Sequence, residues 1–453
     1  MTIVEELAEF VCNASFNDLS ENALQQLKIR VLDGLGCAIG AVSGPPVRRL
    51  LKLERALGRG GRCTLIGGGR IAPDRAAFCN GALVRYLDFN DSYLAKGETC
   101  HPSDNVAPIL SASEYVDGSG KDFLTALAVA YQVQCRLSDA APVRAKGFDH
   151  TTQGSYAVAA GASRAMGLDR SKTANAIAIS GTALNALRVT RTGKLSNWKG
   201  FAYPFTSFGA IQATLLARAG ITGPLEVFEG NKGFIGTISG PFELDWKREN
   251  LEAVTRTVLK EYNAEIHSQS AIECILRMRE NFGIKPETVN EVKVRIFDVA
   301  YNIIGGGEEG AKVDVSTKEE ADHSLPYILA VALLDGEVTP KQYRLDRINR
   351  GDAQSMLRRV HVVPDPKFSD IFPEAMPCAI SIELKSRRVL EDETEDYEGF
   401  FTRPMTWDSA VMKFERLARS HVAAPLRGEI VNAVDHLEEI SISRLTSILA
   451  RAG

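Results

Sequence analysis

The stretch Phe123-Leu124-Thr125-Ala126-Leu127-Ala128-Val129-Ala130 offers no wide polar face at the 3.6-residue period. A helix that is apolar nearly all round belongs in the middle of a large helical domain, because no side of it gains from facing water. Outward from it, segments 22–42, 76–87, 105–116, 122–138, 153–166, 171–186 and 206–220 are rich in Ala and Leu and read as further helices. The small residues of Tyr156-Ala157-Val158-Ala159-Ala160-Gly161-Ala162 predict close helix packing. Gly167 after Met166 and Gly220 after Ala219 are helix stop signals. Residues 1–264 therefore read as the first part of a large all-helical domain.

After about residue 285 the texture changes. Val292, Val294 and Ile296 alternate with Glu291, Lys293 and Arg295, the period of a half-buried strand. Val360 and Val362 give a shorter strand, and Ile380, Ile382 and Leu384 a third. Arg388 to Thr394 pairs with the third across a Lys385-Ser386-Arg387 turn. Segment 323–334 reads as a helix only if Pro326 sits in its first turn. Helices return at 406–419, 424–437 and 440–451. The expected fold is mainly α with an α+β insert: a large helical domain, a smaller α/β lid domain over 265–403, and C-terminal helices 404–453 rejoining the first domain.

The 453 residues are 45% hydrophobic and 24% charged, too apolar for a disordered chain. Lys plus Arg number 53 and Asp plus Glu 57, a net charge of −4 that argues against a nucleic-acid binder acting through bulk charge. The eight cysteines are scattered, with no Cys-x-x-Cys and no Cys/His group at zinc spacing. No local spacing supports an iron–sulfur cluster either. The first residues lack a signal-peptide pattern, and apolar runs such as Pro326 to Leu334 fall short of the ~20 residues of a membrane span. A cytoplasmic setting without membrane contact is expected.

Five constellations stand out. Leu87-Asp88-Phe89-Asn90-Asp91 precedes His101-Pro102-Ser103-Asp104-Asn105, with Lys96 and Glu98 between; the alternative is a solvated loop with Ser103 or Asp104 as a helix cap. Gly147-Phe148-Asp149-His150-Thr151-Thr152 carries a second histidine, unless Thr151 or Thr152 is simply a cap. Arg188, Arg191, Lys194 and Lys199 form a run that is usually a solvated face; its place between two apolar helices offers the other reading, a loop that binds carboxylate or phosphate. Lys260 to Gln269 is polar at the apparent domain boundary. Tyr301 is followed by Gly305-Gly306-Gly307-Glu308-Glu309-Gly310, a formal G-x-G-x-x-G. No helix clearly opens at those glycines, and Glu308 and Glu309 would repel a pyrophosphate. A dinucleotide site is rejected, and no Walker A, G-x-S-x-G or His-Glu-x-x-His sequence occurs.

Taken in order, these segments resemble the MmgE/PrpD family. The likeness runs through Val31 to Cys37, Leu87 to Asn105, Lys194 to Gly200, Glu229 to Phe234, Ile266 to Ala271, Asp322 to Tyr327 and Asp396 to Met405. The resemblance implies a polycarboxylate-acting enzyme, a homodimer, and catalytic positions at Asp88, His101, His150, Lys199, Lys260 and Tyr301. Ser92 stands where members often have Thr; Arg188, Arg191, His267 and Ser268 are the accompanying substrate-binding candidates. Trp198-Lys199-Gly200 and Glu265-Ile266-His267-Ser268-Gln269 look like the 2-methylcitrate dehydratase branch, with its place in propionate catabolism, more than the cis-aconitate decarboxylase branch.

Dehydrating a 2-hydroxy tricarboxylate needs a base for the proton beside a carboxylate, an acid for the leaving hydroxyl, and cations to hold the carboxylates. Imidazoles, with an ordinary pKa near ~6.5, suit the proton transfers. The expected activity is a metal-independent hydro-lyase acting on 2-methylcitrate or citrate, with no cofactor and no metal ligand assigned. The alternatives are decarboxylation of a cis-aconitate-like acid, epimerisation or isomerisation of a polycarboxylate by the same proton abstraction, or a non-enzymatic helical scaffold.

Overall fold

The computed structural model describes residues 1–57 and 60–452. It is mostly helical, with a small mixed sheet in the C-terminal part, and divides into two compact units. The first comprises Met1–Thr190, Gly200–Val258 and Thr406–Gly453; the second comprises Arg191–Lys199 and Leu259–Met405.

The helical unit contains α1 (Ile3–Asn13), α2 (Glu21–Gly40), α3 (Pro45–Ala56), α4 (Pro73–Tyr86), α5 (Val106–Tyr115), α6 (Gly120–Ala140), α7 (Thr151–Ala165), α8 (Arg170–Ala183) and α9 (Ala202–Arg218). Helices Trp407–Ala418, Ala424–Asp435 and Ile442–Leu449 complete it. α6 is capped by Ser119, whose hydroxyl accepts from Asp122 N at 3.1 Å. Phe123, Leu124, Ala126, Leu127, Val129 and Ala130 are all buried, as a helix without a polar face requires. Close packing of α7 on α6 comes down to Gly161, where an added Cβ would stand 2.9 Å from Ala126 O and 2.7 Å from Ile109 Cδ1. Two short hairpins were not legible as strands in the sequence: β1 (Cys63–Thr64) with β2 (Arg70–Ile71), and β3 (Tyr93–Ala95) with β4 (Glu98–Cys100). The latter turns at Lys96-Gly97, where Gly97 has φ +88°.

In the second unit the sheet runs in the order β6-β5-β7-β8. β5 (Val289–Ile296) is parallel to β6 (Val360–Pro364) and antiparallel to β7 (Cys378–Leu384), which pairs antiparallel with β8 (Val389–Thr394). The alternation holds: Val292, Val294 and Ile296 are buried while Lys293 and Arg295 are exposed. α10 (Gln269–Asn281) and the helix Leu325–Asp335 belong to this unit, and Pro326 does lie in the latter's first turn. No helix opens at Gly305–Gly310; Tyr301–Gly305 is a single π turn ending at Gly306.

Replacing Gly161 with Ala should force α6 and α7 apart and lower stability by ~1–3 kcal/mol. A reduced melting temperature checks this; an unchanged one would contradict the packing described.

Candidate active site

In the β3–β4 hairpin Tyr93 faces Cys100, so the next residues outward, Ser92 and His101, come side by side. Ser92 Oγ lies 3.0 Å from His101 Nδ1, and Asp91 O lies 2.8 Å from the same nitrogen. A carbonyl oxygen only accepts, so His101 Nδ1 carries a hydrogen and the neutral ring keeps its lone pair on Nε2. The Asp91 side chain is anchored elsewhere, accepting from Ser103 N and from Tyr131 OH at 2.8 Å each. Burial pushes the Asp91 carboxyl above its ordinary range, against the hydrogen bonds from Ser103 and Tyr131 and the charge of Arg30.

Asp88 begins this loop in a left-handed conformation, φ +55°, which only a local hold makes tolerable for a non-glycine residue. Arg85, one helical turn earlier on α4, pairs with the Asp88 carboxylate and lies 3.5 Å from Asp104 Oδ2. Asn90 donates to Ser103 Oγ at 3.0 Å and to Asp104 Oδ1 at 2.9 Å. Beneath the loop, buried Lys413 donates to Phe89 O at 2.8 Å, stands 2.6 Å from Asp33 Oδ1, and lies 3.9 Å from the Phe89 ring centroid. Ser103 and Asp104 thus serve the loop rather than cap α5, which has no side-chain cap.

His150 sits at the N-terminus of α7, its ring 5.3 Å edge to face from that of His101. Its Nδ1 lies 3.3 Å from Asp149 Oδ1, which also accepts from Thr151 N at 3.2 Å. Asp149 thus takes the first N–H of α7, whose N-cap residue His150 makes no side-chain cap bond, and Thr151 and Thr152 lie inside the helix. Glu98 in the hairpin accepts from Val143 N and Arg144 N at 3.1 and 3.0 Å, tying β4 to the segment that leads to His150. Arg188, half-buried, belongs to this unit and acts electrostatically on Glu98.

The second unit carries a separate charged cluster. Buried Lys199 stands 3.0 Å from Asp322 Oδ1 and 2.9 Å from His323 Nδ1, while Lys318 holds the other Asp322 oxygen at 2.6 Å. Burial alone would raise the Asp322 carboxyl, but Lys199, Lys318 and His323 drive it far below its ordinary range. Arg191 is buried and donates to Lys199 O at 3.5 Å. Glu265 receives His267 N at 2.8 Å and lies 2.7 Å from His267 Nδ1. Burial opposes its ionisation, yet His267, His323 and Lys260 outweigh it and hold Glu265 at about 2. Lys260 is fully buried, and Tyr301 is half-buried at the start of the π turn. His267 packs against the stacked Phe297 and Phe372 rings, 5.7 Å from each, and Ser268 Oγ donates to Glu265 O at 2.6 Å.

The structure thus groups Asp88, Ser92, His101 and His150 in the helical unit, and Arg191, Lys199, Lys260, His267, Ser268 and Tyr301 in the second. Arg85, Tyr131, Asp33 and Lys413 in the first, and Lys318, Asp322 and His323 in the second, were not singled out from the sequence, whereas Asp91 stood in the first constellation without a role of its own. Asp33, Asp322 and His323 lie inside segments that carried the family likeness, the one signal that pointed to them.

These features define a class: a mainly helical chain whose buried imidazoles, carboxylates and lysines are arranged for acid–base chemistry. The description MmgE/PrpD N-terminal domain matches residues 5–247 and MmgE/PrpD C-terminal domain matches 262–439, so the chain belongs to the MmgE/PrpD family. Its relatives are enzymes. Cis-aconitate decarboxylase of Mus musculus is 24% identical, covering 99% of this chain and 93% of that protein. Mitochondrial 2-methylcitrate dehydratase of Yarrowia lipolytica is 25% identical over 87% of this chain and 79% of its own. The 2-methylcitrate dehydratase of Escherichia coli (strain K12) is 26% identical, with 87% and 85% covered. Among the described residues no helix is long and apolar enough to cross a membrane.

The folded pKa of Glu265 lies below its ordinary 4.5, so its charge stabilises the fold above pH 4.5 and that contribution is lost as pH falls towards about 2. Glu265→Gln should flatten the dependence of melting temperature on pH across that window; an unchanged slope would show that the carboxylate is not held there.

Proposed function

We propose that this protein is a hydro-lyase that removes water from a 2-hydroxy tricarboxylate, 2-methylcitrate or citrate, by side-chain acid–base chemistry. The observation that carries the reading is the pair of buried imidazoles, His101 and His150, with rings 5.3 Å apart. His101, its Nδ1 hydrogen directed at Asp91 O, offers Nε2 to the proton beside a carboxylate. His150, with the Asp149 carboxylate beside Nδ1, delivers a proton to the departing hydroxyl, and Tyr301 is the second candidate for that step. Asp88, paired with Arg85, orients rather than accepts. Ser92 holds the His101 ring. Lys199 and Lys260, with Arg188 and Arg191, supply positive charge for the substrate carboxylates and for the charge that grows on one of them as the proton leaves. His267 and Ser268 act through Glu265, which both engage. This set of roles requires neither a metal nor a redox cofactor.

Decarboxylation of a cis-aconitate-like acid is the second reading, favoured by the mouse relative that spans nearly the whole chain. A panel of 2-methylcitrate, citrate and cis-aconitate followed by proton NMR separates the reactions. The expected result is loss of the hydroxyl-bearing acid with growth of an alkene, seen as a vinylic proton from citrate and as a methyl singlet on the double bond when 2-methylcitrate loses the proton of its methyl-bearing carbon. Carbon dioxide release from cis-aconitate, or a changed diastereomer with no alkene formed from the hydroxy acid, would replace dehydration by decarboxylation or epimerisation. His101→Asn should lower kcat by ~10²–10⁴-fold while the protein stays folded.

We also propose that the protein is a cytoplasmic homodimer. The support is a row of apolar side chains on and just beyond α9: Phe205 is 47% exposed, Leu216 44% and Ile221 53%. Light scattering should give twice the chain mass, and Phe205→Glu should shift it to one; a wild-type monomer would end this reading.

A further inference from the structure

The second unit holds a cleft of about 620 Å³ whose lining includes Lys194, Leu195, Lys312, Glu320, His323 and Gln354. Three carboxylates line it as well, those of Glu309, Asp314 and Glu320. Glu320 Oε2 accepts from Ser316 N and Ser316 Oγ at 2.9 Å each and from Thr317 N at 3.1 Å. Asp322, bonded to His323, has Lys199 and Lys318 on its two oxygens. Asp314, which also lines the cleft, is exposed.

Lys312 differs from the other lysines described in this unit's charged cluster. It is half-buried, and its backbone is fixed where its carbonyl accepts from Ser324 Oγ at 2.5 Å, at the cap of the helix Leu325–Asp335. Among the described residues its ammonium makes no hydrogen bond and no ion pair. Glu309, which lines the same cleft, and Glu265 act on it as charges without an ion pair, while Lys199 repels it. A cation drawn partly out of water without a partner is unfavourable, and an anion entering the cleft would relieve it. Burial, with Lys199, accordingly lowers the Lys312 ammonium from its ordinary pKa.

We propose that Lys312 is a specificity-determining residue that binds one carboxylate of the substrate within this cleft. The inference rests on the polycarboxylate reading above and extends it by naming the residue that distinguishes a three-carboxylate acid from a two-carboxylate one. The cleft's second lysine, Lys194, is exposed and adds long-range attraction rather than a fixed contact.

The test uses tricarballylate, a tricarboxylate with no hydroxyl to lose, in calorimetric titrations of the full-length protein, alongside steady-state kinetics. Lys312→Gln should weaken tricarballylate about tenfold or more and raise KM in step, with kcat within about twofold, as expected for one lost charge-assisted hydrogen bond. Lys312→Arg, which keeps the charge, should bind within about threefold of the wild type. Glutarate, lacking the third carboxylate, should bind the wild type and the Gln variant equally. Undiminished tricarballylate binding by Lys312→Gln, or equal loss in Lys312→Arg, overturns the inference while leaving the hydro-lyase reading intact. A wild type that binds no tricarballylate and converts no tricarboxylate would end both.

Discussion

A lysine buried away from water must find its counter-charge and its hydrogen-bond acceptors inside the protein. Lys413 finds them in the Asp33 carboxylate on α2, the Phe89 carbonyl, and the face of the Phe89 ring. Those contacts join the helix Trp407–Ala418, α2 and the loop after α4 at one point. The loop they hold contains Asp88 in its left-handed conformation and leads through Asp91 to the hairpin that sets Ser92 against His101. An unpaired buried charge costs about 3–5 kcal/mol, so Asp33 and Lys413 are useful only together. The geometry of the imidazole therefore depends on the Asp33–Lys413 pair that holds the loop leading to it.

In the second unit burial and Coulomb attraction oppose each other, and attraction wins twice. Asp322 is surrounded by Lys199, Lys318 and His323, and Glu265 by His267, His323 and Lys260. Both carboxyls end below their ordinary range although desolvation acts the other way. In such clusters buried lysines and carboxylates offset one another's desolvation. Lys312 stands outside this arrangement, with its ammonium unpartnered among the described residues.

Much of the fold was legible because its signals are local. The apolar run at 123–130 belongs to α6, the Gly161 region packs against α6, and the alternation at 292–296 is β5. Pro326 sits in a first turn because that position needs no intrahelical N–H. The β3–β4 hairpin is not legible in the sequence because three-residue strands leave too few alternations to read. Ser103 and Thr151 do not act as caps; their own N–H groups donate to nearby carboxylates, those of Asp91 and Asp149. His101 and His150 were visible as rare side chains in polar loops, but their contact was not.

By itself the sequence determined the helices, the four strands of the mixed sheet and membership of the MmgE/PrpD family, through periodicity and the order of many short segments. Tertiary structure alone decided which charges meet: Asp33 with Lys413, Lys199 with Asp322, and the His101 ring with that of His150. It also decided that Arg191–Lys199 joins the second unit although helices of the first flank it in the chain. The physical reason is range. Hydrophobic periodicity acts between neighbours three or four residues apart, whereas a buried ion pair is chosen by the low dielectric around it, whatever the separation along the chain.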